Sequence, residues 1–488
     1  MISFTLALLL LIAGYVVYGA FVSRVFGQDA ARVTPVHTMA DGVDFVPLPT
    51  WKIFLIQFLN IAGLGPIFGA IMGVMFGPAA FLWIVFGTIF AGAVHDYMSG
   101  MLSLRHNGAS LPEIVGAELG GGIRNTMRVF SLLLMILVGA VFVYNPADLL
   151  GMLTPESLDK TFWVILIFVY YMLATLLPID KLIGKLYPIF GFALLFMAVG
   201  IMCALYAHWG DMPEMWTGFY NHKADPESSP IFPMMFVSIA CGAISGFHAT
   251  QSPMMARCLK NERHARPVFY GAMVAEGIVA LIWAAAAITF TRGYDGLQAM
   301  LGNSSPAILV NNISESWLGA IGGILAILGV IAAPITSGDT ALRSARLIAA
   351  DFMHVDQNAV LKRLAVSVPI FGICFLTMLM PYEVLWRYFA WCNQVLAVFT
   401  LWAITVWLAR NGKLYVITLV PAMFMTAVTV TYIIFAPEGL SLLTQPLFGF
   451  AISYTAAVAI ALCATALLLF LFGKYLRGVR NQITLSAE

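Results

Sequence analysis

Charge is scarce in this sequence: only 10% of its 488 residues are Asp, Glu, Lys or Arg, against about 25% in an ordinary soluble domain. Neither sign dominates, since 25 Lys and Arg face 24 Asp and Glu for a net charge of +1, so bulk charge names no partner. Cysteine is thin as well. Cys203, Cys241, Cys258, Cys374, Cys392 and Cys463 form no CxxC pair and no Cys/His metal spacing. That argues against disulfide and zinc chemistry and leaves them as small packing hydrophobes. HExxH, GxSxG and a Walker A loop are all missing, which speaks against an enzyme and against direct ATP drive. No polar stretch is long enough for a water-soluble core of its own; the longest lie at 24–50, 105–126, 207–230 and 292–317.

Apolar residues fill the space, at 61% of the chain with 13% aromatic. Thirteen apolar stretches can cross a ~30 Å hydrocarbon core as helices: 2–23, 51–73, 79–104, 127–149, 162–177, 187–206, 231–252, 267–291, 318–340, 364–380, 388–409, 414–435 and 448–472. The composition predicts an all-α polytopic membrane protein, and excludes a soluble enzyme, a nucleic-acid binder and a peripheral amphipathic-helix protein. The first stretch lacks a basic n-region (MISFTLALLL) and is expected to be a retained helix rather than a cleaved signal peptide. Twenty-one of the 25 basic residues fall in alternate connections, and only Lys160, Lys223, Arg292 and Arg387 fall on the other side. By the positive-inside rule the N-terminus is expected outside and the C-terminus in the cytoplasm.

Two stretches carry helix breakers at their middle: AGLGPIFG around Gly63, Gly65 and Pro66, and CGAISGFH around Gly242, Ser245 and Gly246. Hydrocarbon tolerates freed backbone groups only where protein or a water-filled cavity receives them. The breaks sit five stretches apart, so the second enters the membrane from the opposite side. That is the pattern of an inverted repeat with its binding site between the breaks, unless the glycines serve only close helix packing. The reading is a 5+5 inverted repeat with discontinuous helices: a first helix and loop at 1–50, repeat one at 51–208, repeat two at 231–409, two appended helices at 414–473 and a cytoplasmic tail at 474–488. Pro66 suits the first turn of a new half-helix, whose N–H groups around Gly65 would receive a carboxylate. Gln57 and Asn60, on one helix face, could complete the pocket.

The block VTPVHTMADGVDFVPLPTW, then AGLGPIFGAI, then GTIFAGAVHDYMSGMLSLRHNGASLPEIV, about eighty residues in all, closely resembles the carbon starvation protein A (CstA) family of bacterial inner-membrane transporters. GAISGFHATQSPMMARCL and APITSGDTALRSAR are compatible with it. The resemblance implies uptake of peptides, or of pyruvate in some relatives, by proton symport in the manner of the amino acid–polyamine–organocation superfamily, a LeuT/APC-like fold. Many members are longer, so this chain is expected to be a compact one.

An ionisable residue within a span is a functional hypothesis by default. Glu276, near the middle of the eighth stretch, either carries a coupling proton or is a structural glutamate. His248, just past the second break, either donates to an anionic substrate or caps and packs. His95 and Asp96 are adjacent, hence about 100° apart on a helix, and are not expected to pair with each other; they serve a gate or proton exit, or a structural tie towards Arg105. In transporters of the five-plus-five fold the helix corresponding to stretch nine supplies hydroxyls to a sodium site. The resemblance extends that role to Thr336, Ser337 and Asp339; alternatively Asp339 holds the proton, or pairs with Arg343 one turn on. Tyr144, Asn145, Pro146, Asn393 and Gln394 are weaker candidates.

The expected function is secondary active import of peptides or pyruvate-like carboxylates by alternating access. Gln57, Asn60, Gly63, Gly65, Gly242, Ser245 and His248 would face substrate; Glu276, Thr336, Ser337 and Asp339 would couple the ion; His95 and Asp96 would gate. A sodium-coupled amino-acid or organic-acid symporter is the alternative, and a channel the rival of another class. Neither metal nor cofactor is expected beyond a coupling H+ or Na+, and the only partners are a small-molecule substrate and the bilayer.

Overall fold

The computed structural model describes residues 1–176, 183–303, 305–357, 359–442, 444 and 452–485. Lys181, position 448 where the last stretch was expected to begin, and the tail end 486–488 lie outside the described residues. The main helices, in chain order, are α1 (Ile2–Phe26), α2 (Thr50–Ile61), α3 (Gly65–Val74), α4 (Ala79–Arg105) and α5 (Gly121–Leu153). Next come α6 (Lys160–Leu176), α7 (Ile183–Ala207), α8 (Gly246–Ala256), α9 (Glu262–Phe290) and α10 (Pro306–Ile327). The last are α11 (Ala333–Met353), α12 (Val360–Thr377), α13 (Tyr382–Arg410), α14 (Val416–Phe435) and α15 (Tyr454–Leu485). Among the described residues there is no strand.

Nine of these, α1, α4, α5, α7, α9, α12, α13, α14 and α15, contain a stretch long and apolar enough to cross a membrane. A tenth arises if α2 and α3, bent by 52° at their junction, count as one span. The other three expected stretches are not among these. α6 has 17 described residues; the 231–252 segment is broken, with one piece only Phe236–Ser238; and the 318–340 stretch is shared between α10, the turn Leu328–Ala332 and the start of α11.

The distribution of polarity is that of a protein bathed in lipid. Ile2, Leu6, Leu9 and Val17 on α1, Ile189, Phe192 and Phe196 on α7, and Leu462, Phe470 and Leu471 on α15 are exposed, whereas Asp96, Glu276, Asp339 and Arg343 are fully buried. Helix ends follow local chemistry. α1 stops at Gly27, whose left-handed φ of 78° lets its N–H reach the Ser23 and Arg24 carbonyls, both at 3.2 Å. Pro66 lies in the first turn of α3, where a missing N–H costs least. α11 packs on α5, and α13, α14 and α15 follow one another at one flank. Thr405 and Thr418 hydroxyls, 2.8 Å apart, tie α13 to the start of α14.

Candidate functional site

The two breaks meet. A Cβ at Gly65 would overlap the Cys241 side chain, and one at Gly242 would lie 3.5 Å from the Pro66 Cα, so the absence of side chains is what lets the two interruptions touch. Gly242 also takes φ 98°, a conformation in which an L side chain is strained. The second interruption is wider than its glycines alone suggest: helix ends at Ser238 and resumes at Gly246 with Ser245 in extended conformation before it.

Most of the backbone groups freed at that second break are met within the protein. Asn393 Oδ1 accepts from Ser245 Oγ at 3.1 Å and from the Phe247 N–H at 2.9 Å. Gln394 Nε2 donates to the Ile244 carbonyl at 3.3 Å, and Thr88 Oγ1 to that of Gly242 at 2.9 Å. Asn393 and Gln394, weak candidates by sequence, thus hold the break in place from α13. Gly242 and Ser245, expected to face substrate, meet Thr88 and Asn393 here, and Asn393 occupies the start of α8.

At the first break, polar side chains from α2 face α8 and α11. Gln57 Nε2 donates to Ser252 Oγ at 3.4 Å, and Asn60 Oδ1 accepts from Thr340 Oγ1 at 3.3 Å. Ser337 Oγ donates to the Leu59 carbonyl at 3.1 Å and to that of Ala333 at 3.0 Å. A Cβ on Gly63 would meet Ser337 Oγ at 3.3 Å. Gln57 and Asn60 are fully buried, and among the described residues Gln57 Oε1 and Asn60 Nδ2 have no hydrogen-bond partner. Buried amides left half satisfied are costly to the fold.

Four ionisable residues on three helices form a single buried chain. His95 Nδ1 is 2.8 Å from Asp96 Oδ1, and His248 Nδ1 is 3.0 Å from Asp96 Oδ2. On its far edge, His248 Nε2 is 3.4 Å from Glu276 Oε2. All four are fully buried. Two expectations are corrected. His95 and Asp96 do pair with each other: the roughly 100° between adjacent positions is bridged because both side chains lean into one interhelical space. Nor is Asp96 tied towards Arg105, which instead binds Glu262 at 2.7 Å. Among the described residues no three His, Cys, Asp or Glu side chains converge as metal ligands would; the four are strung in a line.

Asp339 lies apart from this chain. It accepts a short hydrogen bond from Tyr187 Oη, which also lies 3.1 Å from the Thr336 carbonyl, while Thr336 Oγ1 turns back to the Ala333 carbonyl at 2.7 Å. The expected Asp339–Arg343 pair takes the form of an electrostatic interaction and not a direct hydrogen bond among the described contacts, while Arg343 Nη1 sits 3.8 Å from Asp44 Oδ1. Asn145 Nδ2 donates to Tyr382 Oη at 2.7 Å, with Tyr144 stacked on Tyr382. Tyr187, Thr340 and Ser252 were missed by sequence reasoning. The polar run HATQS after the second break signalled Ser252, but nothing local marks Tyr187, since a tyrosine at a span end is expected anyway.

The fold and the buried polar interior define a multi-pass membrane protein, and its architecture is that of solved transporters. The manganese transporter of Eremococcus coleocola aligns over 90% of this chain and 99% of that one, with TM-score 0.53 and 13% identity; at that identity the likeness is one of fold. The carbon starvation protein CstA family matches residues 1–155, 146–302 and 296–432, and the chain belongs to that family. An uncharacterized membrane protein of Haemophilus influenzae is 42% identical over 346 residues, 61% of this chain and 93% of that protein. The peptide transporter CstA of Campylobacter jejuni is 29% identical over 62% of this chain and 52% of its own length. The pyruvate/proton symporter BtsT of Escherichia coli K12 is 28% identical over 58% of this chain and 48% of its own. The chain thus spans about half the length of these two relatives.

Proposed function

We propose that the protein is a secondary active transporter that imports small carboxylate-bearing solutes, peptides or pyruvate-like acids, across a bacterial inner membrane with protons. The observation that carries this reading is the buried chain His95–Asp96–His248–Glu276 beside the second break. An imidazole with a carboxylate at each ring nitrogen can take a proton on one edge and release it from the other. Linking α4, α8 and α9, such a chain ties protonation to the relative positions of these helices. The names of the two transporter relatives support the cargo class and, for BtsT, the proton.

In this reading thirteen spans form a 5+5 inverted repeat plus a first helix and two appended ones, with the N-terminus outside. The substrate carboxylate lies at the start of α3, with Gln57 and Asn60 offering their remaining amide groups, and the bundle holding the broken helices rocks against the rest. No cofactor takes part beyond the coupling ion. A second reading, sodium coupling, is favoured by one arrangement: the Ser337 and Thr340 hydroxyls set against Leu59 and Asn60, the hard oxygen donors that such a cation takes.

The test is uptake by the purified protein in liposomes under an imposed inward proton gradient, free of sodium, using labelled pyruvate with and without excess dipeptide. Accumulation above equilibrium that ignores the dipeptide supports monocarboxylate–proton symport, and accumulation that the dipeptide abolishes supports a shared peptide site. Accumulation only when sodium is added overturns proton coupling in favour of the second reading.

A further inference from the structure

Three arginines are buried together at one end of the bundle: Arg343 and Arg346 on α11, both fully buried, and Arg363 in the first turn of α12, 5% exposed. Their surroundings treat them unequally. Arg343 is provided for, with Nη2 donating to the Ala174 carbonyl at 2.6 Å and Nη1 3.8 Å from Asp44. Asp44 itself is held in place, its N–H donating to Asp41 Oδ1 at 2.9 Å and its carbonyl facing Cys258 Sγ. Arg346 has one acceptor, Gln357 Oε1 at 2.5 Å from Nη1. Among the described residues its Nε and Nη2, and the Nε and Nη1 of Arg363, meet no acceptor. The charged groups that act most strongly on Arg346 among the described residues include three cations, Arg343, Arg363 and Arg257, and the acid Asp44.

A guanidinium cannot escape burial by losing its proton, and a buried charge without a partner is among the costliest features a fold can hold. Two adjacent forks with unused N–H groups and too few carboxylates are the donor set that binds the planar or tetrahedral oxygens of an oxyanion. Asp44, reaching in from the 27–49 connection, comes within ion-pair distance of Arg343 and acts on Arg346 only from farther off.

We propose that Arg346 and Arg363 form a binding site for an oxyanion, a phosphate or carboxylate group, between α11 and α12. The group belongs either to a free small anion or to the headgroup of an anionic phospholipid. The site is separate from the His95–Glu276 chain, and its existence does not depend on what the protein transports or on which ion drives it.

The experiment is a thermal-unfolding titration of the full-length protein in nanodiscs of phosphatidylcholine alone, at constant pH and ionic strength, replacing chloride by phosphate or by pyruvate. A saturable rise in the midpoint is expected. In the Arg346→Gln/Arg363→Gln double variant the apparent affinity should fall at least about tenfold, a loss of ~1.4 kcal/mol. Lys362→Gln, at an exposed neighbour, should leave it unchanged. Repeating the titration with phosphatidylglycerol in the nanodisc separates the sources. Loss of the anion response in the unaltered protein, with a raised midpoint that the double variant lacks, assigns the site to the lipid; a response that persists assigns it to the free anion. No saturable response with either anion or with phosphatidylglycerol overturns the proposal, as does equal affinity in the double variant. Should that variant fail to fold, Arg346→Lys and Arg363→Lys, which keep charge but lose the fork, decide in its place: undiminished affinity in both overturns it.

Discussion

His248 Nδ1 lies 3.0 Å from Asp96 Oδ2 although 152 positions separate them, and this contact, together with Thr88 Oγ1 on the Gly242 carbonyl, joins the interrupted segment 231–252 to the unbroken α4. It also places His248 between two carboxylates, since Glu276 approaches the other ring nitrogen at 3.4 Å. The break and the ionisable chain are therefore one structure, and perturbing either should be felt in both.

If protons travel this chain, removing one carboxylate should uncouple rather than abolish movement of cargo. For Glu276→Gln, proton-driven accumulation in liposomes is expected to fall at least about tenfold, ~1.4 kcal/mol in the driving interaction, while exchange of labelled for unlabelled cargo without a gradient persists. Equal loss of both activities would place Glu276 in folding or substrate binding instead.

The contact between the breaks depends on Gly65. Gly65→Ala puts a methyl group into the Cys241 side chain, and overpacking of this kind typically costs about 1–3 kcal/mol. The unfolding midpoint in detergent should drop. Adding Cys241→Gly, which removes the opposing atoms, should recover part of the loss; no recovery would mean that the clash lies elsewhere.

Asn393 serves two donors of the second break at once. Asn393→Ala leaves the Phe247 N–H and the Ser245 hydroxyl without this acceptor, at about 1–3 kcal/mol for an unmet buried group. Hydrogen exchange at the first turn of α8 should accelerate accordingly. Unchanged exchange there would show that water or a shifted neighbour takes over the role.

The 207–230 connection supplies a pH-dependent tie. Burial opposes ionisation of Glu214, but hydrogen bonds from the chain's amino terminus and from Ser3 outweigh it and hold the carboxyl down at about 2. The Ile2 and Ser3 N–H groups donate to it at 2.8 Å. Because the folded value lies below the ordinary ~4.3 of a glutamate, this contribution to stability is complete above that value. It is lost as pH falls from there through about 2. Protection of the first turn of α1 against hydrogen exchange, taken relative to the intrinsic rate at each pH, should fall on acidification in the unaltered protein, and should already be lowered at neutral pH in Glu214→Ala.

Much of this protein was legible along the chain. Apolar length marks a span because the bilayer imposes a fixed thickness, and a cluster such as Gly63–Pro66 marks a break because φ/ψ preference is a property of a few neighbouring residues. Pro66 accordingly stands in the first turn of α3. Partners across helices were not legible. That Asp96 meets both His95 and His248, that Asp339 meets Tyr187, and that Asn393 caps α8 depend on how each helix is rotated about its axis and which helix it lies beside. In lipid the apolar surfaces of helices are nearly interchangeable, so those rotations are set by small-residue contacts and buried polar pairs distributed over the whole bundle. Local sequence determined where the long apolar helices of the described residues lie and where the chain breaks; only the tertiary structure decided which buried charges meet.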